Sequence, residues 1–457
     1  MKKIKTGFLY LLAVLVLVAG IHAFFRLKSE KEAYETDPFT LIPGNVQGIL
    51  YIPDSRFVLP ANPIFKLFFS GYLQHSKITN LLPFFEKGIL LSLHPEEALI
   101  YIKPDSEEYL QTIDYIFRHA YSSFPPKKEK YKEIEIRIFS GKDNDFFCYA
   151  YHKGIFIGSY SKKLLEKALD MFDSRENLYS DPILSAYITS IDPQATMNFF
   201  IRKSQLKNTS LLPIQEWFAC DIEIKEGEWH LNGIILDEDT TCIYSRALRK
   251  ESEKIISKEM IPDGFATFTH LNPDTSFLKE FAFNPLLSDA VAGEIGVIEF
   301  PSPHHTSEKG KIVYIQINKT ISKQRLKKIT DIHSVSFIQL PFGKKYPLYY
   351  GNISGWGIDK LFETDCMIGS YPFTLYKGFL LVGKEADHIK QYILSSDTYH
   401  RNSGIEILND NIKEKNVIFR VIREKRYETL LQLYRNDQTL YFDIIIQPSQ
   451  QNISKPS

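Results

Sequence analysis

The chain carries the same series of short sequence signals twice, and this repeat restricts its fold more than any other feature. Residues 42–57 begin with Ile-Pro, continue with a short apolar run and end with Pro-Asp-Ser-x-Phe, and residues 261–277 repeat the pattern with Thr in place of Ser. Five further matches keep the same order and a shift of 211 to 224 positions: Asn62 with Asn284, Leu99 with Ile312, Tyr151 with Leu375, Asn198 with Asn416 and Trp229 with Leu440.

These matches predict two tandem, divergent copies of one unit, at 32–244 and 261–447. The segment between them, 245–260, is rich in charged residues that favour helices, and we interpret it as a solvated linker. The polar end, 448–457, has the composition of a disordered tail.

Each copy has the pattern of an α+β fold with a mostly antiparallel sheet. Alternation of charged and apolar residues at 133–139 predicts a strand with one wet face. The pairs Lys153-Gly154 and Lys377-Gly378 lie between apolar runs, and Glu226-Gly227 lies in a third such place, so all three predict hairpin turns.

Helices are expected to cover the sheets. Leu110, Ile113 and Phe117 recur at the spacing of a helical stripe. A second helix is expected after each Lys-Gly hairpin, the first with Ser161 as its N-cap. We expect about three helices in each copy, all on one face of the sheet.

Residues 7–25 form an uncharged apolar run of 19 residues between basic flanks. As a helix rising about 1.5 Å per residue, this run nearly matches a hydrocarbon core about 30 Å thick. We interpret residues 1–31 as an N-terminal transmembrane helix that anchors the chain to the inner membrane in a single pass, with the bulk of the chain extracytoplasmic (periplasmic). A signal peptide cleaved after Ala23 is the alternative, although Ile21 and Phe24 do not fit the small-residue pattern of a cleavage site.

The charges balance, with 55 Lys plus Arg against 55 Asp plus Glu. A nucleic-acid binder needs a basic face that releases counterions, so we expect no nucleic-acid partner. The four cysteines, Cys148, Cys220, Cys242 and Cys366, lie in or beside apolar runs without CxxC spacing, which favours buried thiols. If a disulfide forms, Cys220 and Cys242 are the nearest pair in sequence.

No catalytic or cofactor motif of the common kinds occurs: the sequence lacks GxSxG, HExxH, the Walker loop and GxGxxG. We therefore expect no catalytic constellation and no cofactor. His304-His305 has no further ligand at zinc-site spacing, and we interpret the pair as part of a solvated loop, with no metal.

Four residues in the repeated segments are candidates for ligand contact: Asp54, Asp274, Arg202 and Arg420. Asp54 and Asp274 each follow Pro and directly precede Ser or Thr, so they could bind a ligand in both copies, or cap a helix or form an Asx turn. Arg202 and Arg420 end strands that the repeat makes equivalent. A guanidinium can bind phosphate or carboxylate, or form a structural ion pair, and for all four we favour the structural role.

The apolar N-terminal run, the Ile-Pro strand entry and Y-x-K-G-x-x-x-G before a helix together resemble a family of bacterial membrane-anchored extracytoplasmic proteins whose role is unknown. Residues 259–277 carry the best match, and residues 291–311 depart most. The resemblance implies an envelope location and a duplicated α+β unit, and it supplies no catalytic residues.

Three functions follow as hypotheses. The first is a membrane-tethered envelope protein, without catalysis, that binds a partner protein, a lipid or a glycan, or acts as a scaffold. The second is an envelope hydrolase with a site between the two copies, using Asp54 or Asp274 with a nearby His. The third is a lipid-handling protein in which the 33 Phe and 26 Tyr line an apolar cavity instead of filling two cores. From the sequence we assign no oligomeric state.

Overall fold

The computed structural model describes residues 17–21, 23–24, 31, 36–54, 88–104, 107–121, 125–141, 146–174, 176–206, 212–248, 261, 265–273, 277, 279, 290–301, 309–318, 327–328, 331–340, 343–352, 370–398, 417–423, 427–436 and 439–448. These residues belong to two compact units. The first contains the described residues up to Leu206 together with Trp217–Asp221, and the second contains residues 212–216 and the described residues from Ile222 onward.

The first unit is built on an antiparallel sheet. Its strands are β1 Gly48–Ile52, β2 Ile89–Leu93, β3 Ala98–Ile102, β4 Lys127–Tyr131, β5 Ile134–Ser140, β6 Phe146–His152, β7 Ile155–Ser159 and β8 Met197–Arg202. Hydrogen bonds join them in the order β8-β1-β2-β3-β7-β6-β5-β4. β2, β3 and β7 are buried along their whole length, which explains their continuous apolar sequences.

Three α-helices pack on this sheet within the described residues: α1 Glu107–Tyr121, α2 Lys162–Asp170 and α3 Pro182–Ser190. The Ser161 Oγ accepts a hydrogen bond from the Leu164 N–H at 3.3 Å, so the predicted N-cap of α2 is confirmed. Asp181 caps α3 in the same way, and Pro182 occupies the first helical position, where the missing N–H costs nothing.

The helices of the first unit cover both faces of the sheet. Leu164 of α2 belongs to a core cluster with Ile157 of β7, whereas Phe117 of α1 stacks on Phe156 at 6.1 Å between ring centroids. Consecutive residues of a strand point to opposite faces, so α1 and α2 lie on opposite sides. The expectation that the helices cover one face is therefore wrong for this unit.

The second unit contains a longer antiparallel sheet. After β9 Trp217–Lys225, which passes from the first unit to the second at Asp221, its strands are β10 Glu228–Ile235, β11 Thr267–Leu271, β12 Val291–Pro301, β13 Lys309–Ile317, β14 Asp331–Gln339, β15 Lys345–Asn352, β16 Ser370–Tyr376, β17 Phe379–Gly383, β18 Val417–Arg423, β19 Tyr427–Asn436 and β20 Thr439–Pro448. They pair in the order β10-β20-β19-β18-β11-β12-β13-β17-β16-β15-β14. Its described α-helices are α4 Ile243–Ala247 and α5 Ala386–Thr398.

The two sheets share one strand order. The part of the second sheet that runs β18-β11-β12-β13-β17-β16-β15-β14 repeats the order of the first sheet, β8-β1-β2-β3-β7-β6-β5-β4. Each strand number is higher by ten. The α+β class and the mostly antiparallel sheet predicted from the sequence are confirmed.

The predicted hairpins are confirmed at the Lys-Gly pairs. Lys153 and Gly154 have φ of 45° and 80°, and Lys377 and Gly378 have φ of 49° and 87°. These left-handed pairs join β6 to β7 and β16 to β17. Two consecutive residues with positive φ match the twist of the flanking strands.

The start of the predicted linker is buried. Ser245, Ala247 and Leu248 are 4%, 1% and 2% exposed, so the expectation of a solvated segment is wrong for these residues. Residues 249–260 and the tail from 449 lie outside the described residues. The sequence boundaries of the two copies stay predictions.

The predicted anchor is described only in part, at 17–21 and 23–24, where it is helical and exposed. Leu17 and Phe24 are 64% and 63% exposed. None of the helices in the described part of the chain has the length and apolar character needed to cross a bilayer. Residues 7–16, 22 and 25 of the proposed span lie outside it.

Candidate functional site

The candidate site lies beside α1, whose apolar stripe fixes its position on the sheet. Ile113 and Phe117 are 1% and 0% exposed and face β5, β6 and β7. The Phe117 ring stacks on Phe147 at 4.6 Å and on Tyr149 at 5.8 Å between centroids. Stacked aromatic pairs add about 0.5–1.5 kcal/mol each to the burial of their area. This face of the sheet is therefore an aromatic layer.

A pocket of about 200 Å³ opens where this layer ends. It is lined by Leu110, Ile113, Glu135, Arg137, Tyr149, Tyr151 and Phe156. Sites that enclose a whole drug-sized ligand measure about 300–1,000 Å³. This pocket has room for one ring or one side chain of a larger ligand.

Charged side chains at the pocket form one hydrogen-bonded network. The Asp114 Oδ1 accepts hydrogen bonds from the Tyr149 hydroxyl at 2.5 Å and from Arg137 Nη1 at 3.0 Å. Arg137 Nε donates to Glu135 Oε1 at 2.8 Å. Arg118 adds an ion pair to Asp114 at 2.8 Å. The second terminal amino group of Arg137, Nη2, donates to no residue in the described ranges.

The protonation states of this network are fixed at neutral pH. Burial opposes ionisation of Asp114, but hydrogen bonds from Tyr149 and Arg137 and the charge of Arg118 outweigh it and lower the pKa of the carboxyl. Burial, helped by Asp114, raises the pKa of Tyr149. The pKa of Arg137 is raised in spite of its burial, because Glu135, Tyr149 and Asp114 stabilise the cation. None of these shifts moves a pKa toward neutrality, where a general acid or base works best.

A second polar network joins the loop before β1 to the end of β2. Ser92 Oγ lies 2.9 Å from His94 Nε2, and His94 Nδ1 lies 3.0 Å from Asn45 Oδ1. Both contacts are hydrogen bonds if Nδ1 carries the proton and donates to Asn45 while Nε2 accepts from the Ser92 hydroxyl. The connectivity is that of a Ser-His-Asn triad.

Burial separates this triad-like chain from any substrate. Ser92 is 0% exposed and His94 is 3% exposed. Burial and the charge of Lys167 lower the pKa of His94 to about 4, which makes it a poor base at neutral pH. We interpret the network as structural.

A third network lies in the core of the second unit. His270 Nδ1 is 3.2 Å from the Tyr314 hydroxyl and 3.9 Å from Glu294 Oε2. His270 and Glu294 are both 2% exposed, and burial lowers the pKa of His270 to about 3. Gly296 faces His270 across the strand pair and leaves space for the Tyr314 ring. This network too is closed to solvent.

The residues predicted from the repeat lie elsewhere. Asp54 follows β1 and is half-buried, and it does not line the pocket. Asp274 lies outside the described residues. Arg202 Nε donates to the Val46 carbonyl at 3.0 Å, and its guanidinium lies 4.6 Å from the Trp217 ring centroid. Arg202 is thus held by contacts within its own unit.

The predicted equivalence of Arg202 and Arg420 is wrong by three residues. The N–H of Arg202 donates to the Gln47 carbonyl beside β1, and the N–H of Arg423 donates to the Ala266 carbonyl beside β11. Arg423 also lies over an aromatic ring, Phe265, at 4.2 Å. Arg420 is instead opposite Thr269 within the sheet.

Cys148, Cys220 and Cys242 are not joined in disulfides, so the candidate disulfide between Cys220 and Cys242 does not form. Burial raises the pKa of Cys148 to about 12 and that of Cys220 well above its ordinary value, so neither is a reactive thiolate. Cys366 lies outside the described residues, as do His304 and His305. No three His, Cys, Asp or Glu side chains come together as metal ligands in the described ranges.

The sequence does not predict the pocket, because the alternation at 133–139 by itself indicates only a strand with one wet face. Glu135 and Arg137 share the face of β5 that α1 partly covers. The signal that could have found them is the combination of this charged face with the aromatic residues Tyr149 and Tyr151 on the next strand, which the hairpin places alongside.

Comparison with family models, with curated proteins and with solved structures gives no match to this chain. The resemblance to envelope proteins therefore stays a hypothesis.

Proposed function

We propose that the chain is a membrane-tethered, extracytoplasmic binding protein without catalysis, and that the pocket beside α1 holds one ring of an envelope glycan. One observation carries the proposal: three aromatic rings and an Arg donor with an uncommitted amino group converge on a pocket of about 200 Å³. Aromatic faces bind the apolar face of a ring, and the fixed guanidinium and the Glu135 carboxylate offer a donor and an acceptor to its polar edge.

The size and lining of the pocket favour a sugar ring over a lipid chain. An acyl chain needs a long apolar channel, whereas Arg137 and Glu135 occupy the wall of this short pocket. Binding is favoured over catalysis because the Asp114, Tyr149 and Arg137 network holds fixed protonation states near neutral pH. The hydrolase and lipid-handling hypotheses stay open as alternatives without a supporting observation.

The tether is supported by residues 7–25. The run is uncharged, and Leu17, Val18, Ile21 and Phe24 are exposed on its described helical residues. Exposed apolar side chains of this kind are stable where lipid surrounds them. We also infer that the chain is a tandem duplication, because the collinear sequence matches agree with the shared strand order of the two sheets.

Binding of the detergent-solubilised full chain to purified cell-wall glycan sacculi, measured by co-sedimentation, tests the proposal. We expect saturable binding that falls about tenfold or more in Tyr151→Ala, since truncation of an aromatic hot-spot residue costs about 2 kcal/mol or more and about 1.4 kcal/mol corresponds to a factor of ten. Glu135→Gln is expected to weaken binding less, because it retains an acceptor.

Tyr115→Ala is the matched control, since Tyr115 is 61% exposed on α1 and does not line the pocket. Circular dichroism of each variant checks that the fold is kept. The proposal is wrong if the unmodified chain does not sediment with the sacculi, if Tyr115→Ala weakens binding as much as Tyr151→Ala, or if only lipid vesicles bind.

A further inference from the structure

The outermost strands of the two sheets occupy the same place in the strand order but have opposite chemistry. β4 pairs only with β5, and β14 pairs only with β15, among the described residues. β4 reads KKEKY, with Lys127, Lys128 and Lys130 about 73%, 59% and 72% exposed. Charged side chains on an edge strand prevent pairing with another chain, so the edge of the first unit is protected.

The edge of the second unit lacks this protection. β14 reads DIHSVSFIQ, and Val335 and Phe337 are 50% and 67% exposed. From residue 332 to residue 338 it contains no Lys, Arg, Asp or Glu. In the described part of the chain, the hydrogen bonds of β14 are those that pair it with β15, and its residues make no ring contact. An exposed, uncharged edge strand is a template for adding another strand.

The sequence of β14 is nearly the same in both directions about Val335. If a second copy pairs antiparallel with this strand and the two-fold axis passes through Val335, then Val335 faces Val335 of the second copy and Ser334 faces Ser336. Further out, His333 faces Phe337, and Ile332 faces Ile338. Every pair joins residues of the same kind, apolar, hydroxyl or aromatic, and such cross-strand pairs stabilise a sheet.

The same test applied to β4 gives the opposite result. A two-fold axis through Glu129 would place Glu129 opposite its own copy and Lys128 opposite Lys130. Like charges directly opposite each other destabilise strand pairing. Of these two edge strands, β14 can therefore pair favourably with a second copy of itself, and β4 cannot.

We propose that β14 is a homodimer interface, in which two copies of the chain pair antiparallel through this edge about a two-fold axis at Val335. An isologous contact of this kind closes after two copies. A bulge between Ile332 and Ser334 interrupts the register of β14, so only the pairs nearest the axis, Val335 with Val335 and Ser334 with Ser336, lie wholly in regular strand. The dimer is therefore a reversible one that rests on a short stretch of strand.

Charge exchange at position 335 tests this arrangement. In sedimentation velocity of the detergent-solubilised full chain, we expect a reversible dimer for the unmodified protein. Val335→Lys and Val335→Glu should each raise the dissociation constant about tenfold or more, because like charges then face each other across the axis. An equimolar mixture of the two variants should recover the dimer, since Lys and Glu face each other.

Two controls keep the test specific. Tyr115 in the first unit is 61% exposed, which is comparable to the 50% of Val335. Tyr115→Lys therefore adds a charge at a similarly exposed position away from β14 and should leave the dimer unchanged. Val335→Cys should form a disulfide-linked dimer in membranes, since facing residues of antiparallel strands lie about 4.5–5.5 Å apart between Cα atoms. Lys128→Cys on β4 should not.

Three results would overturn the inference. The first is an unmodified chain that stays monomeric at every concentration reached. The second is a dimer that persists unchanged in Val335→Lys. The third is stronger association of Val335→Glu alone, which would mean that β14 meets the basic β4 of another copy and that the two-fold arrangement is wrong.

Discussion

At the scale of single residues, a tyrosine at the same place in each sheet organises the core around a buried hydroxyl. Tyr101 on β3 and Tyr314 on β13 are 0% and 1% exposed. The Tyr101 hydroxyl donates to the Leu41 carbonyl at 3.1 Å, and the Tyr314 hydroxyl donates to the Thr269 carbonyl at 3.4 Å. A buried phenol needs such a partner, because an unsatisfied hydroxyl costs about 1–3 kcal/mol.

Gly296 is the residue that makes room for Tyr314. A Cβ at this position would overlap the Tyr314 ring and the Thr269 carbonyl. We expect Gly296→Ala to lower the free energy of unfolding by about 1–3 kcal/mol, the usual cost of overpacking, in chemical denaturation followed by fluorescence. Gly44→Ala is the control, because nothing lies near its Cβ. Equal stability of the two variants would show that the Tyr314 side chain moves aside freely.

The arginines show how a residue-scale match can mislead. Both Arg420 and Arg423 lie on β18. The sequence repeat pairs Arg420 with Arg202, because each ends an apolar run that begins with Asn. Hydrogen bonds to β1 and β11 show that Arg423 is the counterpart. Both counterparts lie over aromatic rings, an interaction worth about 0.5–2 kcal/mol that explains the repeated residue without a ligand.

At the scale of elements, the hairpin turns follow directly from the local sequence. Lys153-Gly154, Glu226-Gly227 and Lys377-Gly378 all adopt positive φ at both positions. Gly at the second position adopts this conformation without a steric cost. The turn between β4 and β5 is the exception, since Lys132 and Glu133 have φ of 43° and 65° with no glycine.

This exception gives a prediction for the β4–β5 turn. Glu133→Gly should raise the free energy of unfolding by up to about 1 kcal/mol, because relief of about 1–2 kcal/mol of left-handed strain exceeds the entropy cost of glycine. The exposed Lys130–Glu133 ion pair that it removes is worth little. Thermal unfolding of Glu133→Gly and of Glu133→Ala compares the two. A stability of Glu133→Gly at or below that of Glu133→Ala would contradict the prediction.

The candidate pocket is also a property of elements. Its walls come from α1, β5, β6 and β7, and the sequence indicates each of these elements separately. The alternation in β5 shows that Glu135 and Arg137 share one face, but it does not show that α1 covers part of that face. The same alternation of charged and apolar residues occurs when the charged face of a strand is exposed to solvent and when a helix covers part of that face and leaves a pocket.

At the scale of the whole molecule, each unit contains a buried neutral histidine. His94 in the first unit and His270 in the second have their pKa lowered by burial to about 4 and about 3. The ordinary value is about 6.5, so below that pH the unfolded chain binds protons that the folded chain does not. Their contribution to stability is therefore full above about pH 6.5 and is lost as the pH falls toward the folded pKa.

We expect the stability of the first unit to fall by about 2 kcal/mol from His94 alone between about pH 7 and pH 5. Thermal unfolding of the full chain at several pH values measures this. His94→Gln should be less stable at pH 7, because the partners Ser92 and Asn45 lose their fit, and its stability should depend less on pH in this window. His230, which is half-buried on β10 and lies outside the proposed dimer edge, supplies the control variant, His230→Gln. An identical pH dependence in His94→Gln and in the unmodified chain would contradict the prediction.

The sequence by itself determined the features that depend on neighbouring residues: strands from β-branched and aromatic runs, turns from Lys-Gly pairs, the Ser161 cap, and the order of signals that predicts two copies. Only the tertiary structure decided that α1 and α2 cover opposite faces, that Arg423 and not Arg420 corresponds to Arg202, and that Glu135, Arg137 and Tyr151 meet at a pocket. The reason is that these facts depend on pairing between strands far apart in the chain. Local propensity and periodicity define a face of each element, but packing between elements decides what that face meets.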